Sequence, residues 1–224
     1  MSYDGVYLIG LTGNIACGKS TVLALLRERG AHVIDADRVT HELQRAGEPV
    51  YAQIVAAFGD AILSAPGGPI DRTRLGAIVF SDPAALRRLE QIVHPAVHAR
   101  ILAWLDSLGA RGQGPGARKE SAPRSLTPDP RPLTVAVIDA IKLLEAGWRP
   151  LCDAIWVVTC APEQQIARLM TTRGMSEAAA RWRVGAQPPQ ADKVAQADVV
   201  IDNSSSLEQT RRQVEAAWRA IPAL

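Results

Sequence analysis

Val6-Tyr7-Leu8-Ile9-Gly10-Leu11-Thr12-Gly13-Asn14-Ile15-Ala16-Cys17-Gly18-Lys19-Ser20-Thr21 decides the fold. Its first six residues are apolar on both faces, as in a strand buried inside a parallel sheet. Gly13 to Ser20 spells G-x-x-x-x-G-K-[ST], and Lys19 to Arg29 sets Val22, Leu23, Leu25 and Leu26 at helical spacing before Gly30. In a glycine-rich turn between strand and helix, successive backbone N–H groups wrap an anion, aided by the positive end of the helix. Gly13, Asn14, Ile15, Ala16, Cys17, Gly18, Lys19, Ser20 and Thr21 are therefore read as an ATP-binding cradle. Lys19 is expected to reach the β- and γ-phosphates, and the Ser20 hydroxyl to coordinate Mg²⁺. The loop establishes a triphosphate, not the acceptor. Cys17 stands near a helix start, where a thiol pKa can fall; that predicts inhibition by alkylation and protection by ATP. The other reading is a small residue tolerated in the loop.

Outward from the loop, Ala31-His32-Val33-Ile34-Asp35 reads as a second strand, completing a βαβ unit. Leu133 to Asp139, Ala154 to Thr159 and Ala197 to Ile201 read as three more, and Leu207 to Ala220 as a final helix. The alternation predicts an α/β fold, a doubly wound parallel sheet of P-loop NTPase type. Arg38 to Leu108 is mostly helical, in pieces broken at Gly47-Glu48-Pro49, Ala65-Pro66-Gly67-Gly68-Pro69 and Asp82-Pro83, which suggests an inserted helical subdomain for the substrate. Residues 109–132 are rich in Gly, Pro, Arg and Ser without apolar periodicity and predict a mobile basic surface loop. The parts expected are a core of about 1–37, 133–161 and 195–224, an insertion of about 38–108, the loop 109–132, and a small helical lid of about 162–190.

With 224 residues, 47% of them hydrophobic, the chain suits one compact domain. A net charge of +2 is too small to argue for nucleic acid or a membrane surface. Cys17, Cys152 and Cys160 show neither disulfide nor metal-ligand spacing. The apolar run at the start is too short for a signal peptide, and none approaches the roughly 20 residues of a membrane helix. The expectation is a cytoplasmic protein, monomeric or weakly homo-oligomeric, with small-molecule partners.

Carboxylates placed after strand ends open toward the ligand crevice of a parallel sheet. Asp35 and Asp37 follow the second strand, where one could orient and deprotonate an attacking hydroxyl and another join the Mg²⁺ shell; either could instead be a helix N-cap. Asp139 ends the third strand as a Walker B acid does, and is a candidate for the metal. No Asn-Lys-x-Asp guanine signature is present. Arg168, Arg173, Arg181 and Arg183 form instead a cluster suited to a lid over a triphosphate, or to a solvated helix face.

These residues resemble one family in particular. Leu8 to Gly13, Gly18 to Thr21 and Val33 to Asp37 are similar to the opening of dephospho-CoA kinases, and the similarity continues at Phe58-Gly59, Asp71-Arg72, Val79-Phe80 and His94-Pro95. It resumes at Leu143-Leu144-Glu145, Cys152-Asp153, Gln165, Arg168, Arg183 with Gln187, and Ala197 to Asn203. The resemblance implies transfer of the ATP γ-phosphate to the ribose 3′-hydroxyl of dephospho-CoA. It implies Asp37 as the base, Thr12 nearby, Arg168 as the lid arginine, His94 and its helices around the acceptor, and Asn203 near the ATP base. His94 could equally be a helix-boundary residue before Pro95. Where many members carry Pro-Leu-Leu, this chain has Ile141-Lys142-Leu143; Lys142 could meet an acceptor phosphate or reach solvent. A P-loop kinase acting on a nucleotide, nucleoside or sugar-like alcohol is the alternative, and an ATP-binding module without an acceptor is a third reading.

Overall fold

The computed structural model describes residues 5–111 and 134–222. Val6–Thr12 (β1) is the middle strand of a five-stranded sheet, paired on both edges and buried at every position but Tyr7. The chain leaves it through Lys19–Glu28 (α1) to an edge strand, His32–Asp35 (β2). Strands Thr134–Asp139 (β3), Ala154–Thr159 (β4) and Val199–Asp202 (β5) complete the sheet in the order β2-β3-β1-β4-β5. β1 runs parallel to both β3 and β4, and β4 to β5. The walk from β1 goes one way to β2, and the walk from β3 goes the other way to β4. That reversal opens a crevice at the carboxyl ends of β1 and β3, where Leu11 lies opposite Asp139.

The chain forms two compact units, Met1–Ile34 with Leu105–Leu224, and Asp35–Trp104. In the first, Ile9, Leu11, Val22, Leu26, Val137, Trp156, Val158, Ile201 and Val214 are buried together. At about 1.5–3 kcal/mol for each large apolar side chain, this cluster fixes the register that presents the loop after β1. Two acids tie the strands at their other ends: Asp153 accepts the N–H of Leu8 at 2.8 Å, and Asp198 accepts that of Ile155 at 2.7 Å. Arg149 pairs with Asp198 and holds its carboxyl below the usual range.

The second unit holds Ala36–Leu43 (α2), Pro49–Phe58 (α3), Arg72–Ser81 (α4) and most of Pro83–Arg111 (α5). Its helices start where the sequence supplies caps. Asp35 accepts from Arg38 N–H, Asp71 from Thr73 and Arg74 N–H, and prolines 49 and 83 take first-turn positions. The breaks expected near 47–49, 65–69 and 82–83 fall between these helices. Pro95 makes none: α5 runs through it, so the boundary reading of His94 is corrected. Proline lacks the N–H that the Gln91 carbonyl would accept, yet 29 residues of helix sustain the turn around it. α5 also takes up positions 109–111 of the expected basic loop; the rest of that loop lies outside the described residues.

The stretch expected as the lid holds two helices, Pro162–Arg173 (α6) and Glu177–Gly185 (α7), and a short third, Gln190–Val194 (α8), begins at its end. Gly174, left-handed at φ 61°, ends the first, and Ser176 caps the second through Ala179 N–H. Leu207–Arg219 (α9) closes the chain, capped by Ser206. Among the described residues no helix is long and apolar enough to cross a membrane.

Candidate active site

The loop after β1 turns sharply because two glycines leave room. A Cβ on Gly13 would stand 2.5 Å from the Val158 carbonyl oxygen and 2.7 Å from Cys17 Sγ. Gly18 is left-handed at φ 88°, and a Cβ there would stand 1.9 Å from Asn203 Nδ2. α1 begins at the next residue, so its first amides have no acceptor within the helix and face the turn. A cavity of about 750 Å³ opens over them, lined by Asn14 and Ala16 to Thr21, by Ile141, by Arg168, Thr172 and Arg173 of α6, and by Asn203, Ser205 and Leu207.

Lys19, which lines this cavity, forms an ion pair with Asp139, joining the end of β3 to the start of α1. The Asp139 side chain is 10% exposed, which makes it a buried partner to the cation and a negative group beside the phosphate seat. Ser20, next along α1, is exposed. Arg168 lies over the loop: its Nη1 donates to the Ala16 carbonyl at 3.2 Å and its Nη2 to the Asn203 carbonyl at 2.9 Å. Among the lid arginines, Arg168 and Arg173 reach the cavity lining; Arg181 pairs with Glu177 along α7 in exposed surroundings.

Several expected site residues also hold the loop in place. Asn203 is 5% exposed; its amide donates to the Cys17 carbonyl at 2.9 Å and its Oδ1 accepts from the Thr210 hydroxyl at 2.8 Å. It braces the cradle from below. Thr12 is fully buried and donates to the Ile141 carbonyl at 3.0 Å, fixing the turn after β3. Cys17 corrects the thiol reading. Its side chain is 1% exposed and packs in the apolar core, and burial pushes its pKa up to about 11. The opposing pull of the Lys19 amide and charge is smaller than this desolvation.

Lys142 is exposed in the turn after β3, and His94 is exposed on α5 in the second unit. Asp35 spends one oxygen on the α2 cap, at 2.9 Å from Arg38 N–H, as the capping alternative has it. Asp37 is exposed in the first turn of the same helix.

The segment between α7 and β5 makes contacts that its place at the end of the expected lid did not foretell. Gln187 Oε1 accepts the Ile15 N–H at 2.7 Å, and the Asn14 amide donates to the Pro188 carbonyl at 3.2 Å. Gln190 Oε1 accepts from Cys160 N–H at 3.4 Å, and buried Lys193 donates to the Ile141 carbonyl at 2.6 Å and meets Glu145 at 3.3 Å. One short stretch thus fastens the loops after β1, β3 and β4. Its hints in the sequence are Gln187, which belongs to the family resemblance, and Pro188-Pro189, which disfavours helix and leaves extended backbone beside the sheet.

A parallel sheet with a phosphate cradle at its reversal point, a lysine–aspartate pair beneath and an arginine-bearing lid define an ATP-dependent P-loop kinase. The model of the dephospho-CoA kinase family matches residues 7–111 and 125–209. The chain belongs to that family. A dephospho-CoA kinase of Symbiobacterium thermophilum is 46% identical over 213 residues, covering 95% of this chain and 80% of that protein. One from Geobacillus kaustophilus is 43% identical over 216 residues, covering 96% and 97%. A crystal structure from Thermus thermophilus matches with a TM-score of 0.73 at 30% identity, covering 96% of this chain and 97% of its own. The dephospho-CoA kinase structure from Campylobacter jejuni, at TM-score 0.65 and 24% identity over 96% and 97%, supports the same fold.

Proposed function

We propose that this chain transfers the γ-phosphoryl group of ATP to the ribose 3′-hydroxyl of dephospho-CoA, giving coenzyme A and ADP, as a cytoplasmic enzyme. What carries the acceptor is the extent of likeness: 46% identity over 95% of the chain to a relative described as dephospho-CoA kinase reaches far beyond the phosphate loop.

The loop amides of residues 13–20 and Lys19 hold the β- and γ-phosphates. Ser20 and Asp139, with the uncommitted oxygen of Asp35, would hold Mg²⁺. The donor set of hydroxyl and carboxylate oxygens fits that ion. Magnesium keeps several waters and takes the rest of its shell from phosphates, so few protein ligands suffice. When bound it neutralises charge building on the phosphate oxygens. Asp37 accepts the proton of the 3′-hydroxyl as that oxygen bonds to γ-phosphorus and the bond to the β–γ bridging oxygen breaks. Its support is the motif Val33 to Asp37 and its place two residues past the end of β2. Arg168 stabilises charge on the transferred group. His94 and Lys142, both exposed, are assigned to the acceptor. Catalysis is then mostly positioning and charge stabilisation.

ADP release measured across a panel of acceptors tests this reading. Dephospho-CoA should give turnover well above every nucleoside, nucleotide and sugar alcohol. Preference for another alcohol, or acceptor-independent ADP release, would refute it.

A further inference from the structure

Ala16 has the one positive φ, 56°, held by a residue other than glycine among the described residues. In that region Cβ crowds the following carbonyl oxygen, so the conformation lasts only where neighbours hold it. The backbone groups on either side are held, and both from the lid segment. Gln187 Oε1 takes the N–H of Ile15 at 2.7 Å, and Arg168 takes the carbonyl of Ala16 at 3.2 Å. The Asn14 amide on the Pro188 carbonyl seats the loop on the same stretch.

We propose that Gln187 is a positioning residue for ATP: with Arg168 it clamps the Ile15–Ala16 backbone, keeps Ala16 left-handed, and so aims the amides that follow at the triphosphate. Gln187 acts through the loop. Because the stretch that carries Gln187 also bears Lys193 on the Ile141 carbonyl, the same anchorage reaches the turn after β3. The inference rests on the loop being the ATP cradle and not on which alcohol is the acceptor.

Calorimetric titration of ATP with Mg²⁺ in the absence of acceptor tests it. Gln187→Ala should weaken ATP binding about five- to tenfold, the scale set by the left-handed penalty of a residue with Cβ. Ala16→Gly removes that penalty, so in the A16G background the Gln187→Ala loss should shrink to about twofold or less. Gln187→Met keeps the side-chain length without the acceptor, and should match the alanine variant with an unchanged melting temperature. A Gln187→Ala protein that binds ATP within twofold of the parent would overturn the clamp. So would a loss of equal size in the A16G background, which would mark Gln187 as a merely structural contact. Since no acceptor is present, a chain that binds ATP but fails to phosphorylate dephospho-CoA sinks the proposed function alone.

Discussion

At the scale of single residues, the structure separates groups that touch a ligand from groups that hold those groups still. Cys17 is the plainest case. A helix start lowers a thiol pKa when the sulfur faces it, but this sulfur points into the core, and burial raises its pKa to about 11. At pH 7.5 roughly one molecule in 10³ to 10⁴ then carries the thiolate. Iodoacetamide should therefore label Cys17 at a small fraction of the rate of an exposed thiol, with or without ATP. Fast labelling at Cys17 by peptide mass spectrometry would contradict the burial. Asp37, exposed in the first turn of α2, makes the opposite prediction. Asp37→Asn should lower kcat on the order of 10²- to 10⁴-fold while ATP affinity stays within about threefold. Near-normal turnover would remove it as the base. Lys19 and Asp139 were legible because motif and strand end named them, and Arg168 because the family resemblance singled it out of its cluster. The hydrogen bonds of Thr12 and Asn203 to distant backbone and side chains were not legible: sequence gives a residue's neighbours along the chain, and only packing says which way a hydroxyl or amide turns.

Among elements, strands were legible because a buried parallel strand is apolar throughout, and helices because Gly and Pro marked their ends. β2, as short as β5, is the least buried, yet its closing acid and the βαβ spacing gave it away. The stretch after α7 was not legible. Gln187, Gln190 and Lys193 look like the polar face of a solvated helix until their partners are seen to be backbone groups far away in sequence. The joint between β1 and α1 is set more tightly than either element. Gly18→Ala would press a Cβ into the Asn203 amide, break its bond to the Cys17 carbonyl, and strain a φ of 88°. The combined cost is on the order of 3 kcal/mol. A loss of about 100-fold in ATP affinity together with a lower melting temperature is expected; calorimetry and thermal unfolding would check both. Wild-type affinity in that variant would show that the loop does not depend on this contact.

For the molecule as a whole, the fold follows from where apolar surface had to go, and its stability should carry a mark of the buried thiols. Burial raises Cys17 to about 11 and Cys152 to about 12, from an ordinary value of 9.0. The unfolded chain therefore releases these protons first. The stability is intact below pH 9 and falls above it, until the folded thiols also ionise near 11 to 12, by roughly 1.4 kcal/mol per pH unit for each. Urea unfolding at pH 8 and pH 10.5 should show this drop, and Cys17→Ala with Cys152→Ala should flatten it; an equal drop in the double variant would assign it elsewhere. A last consequence concerns what can drift over generations. The Ile141 carbonyl oxygen receives both Thr12 and Lys193, so the anchor of that turn is an atom every amino acid supplies, proline included. Residue 141 can therefore change its side chain without losing the anchor, so long as position 12 keeps its hydroxyl and position 193 its ammonium.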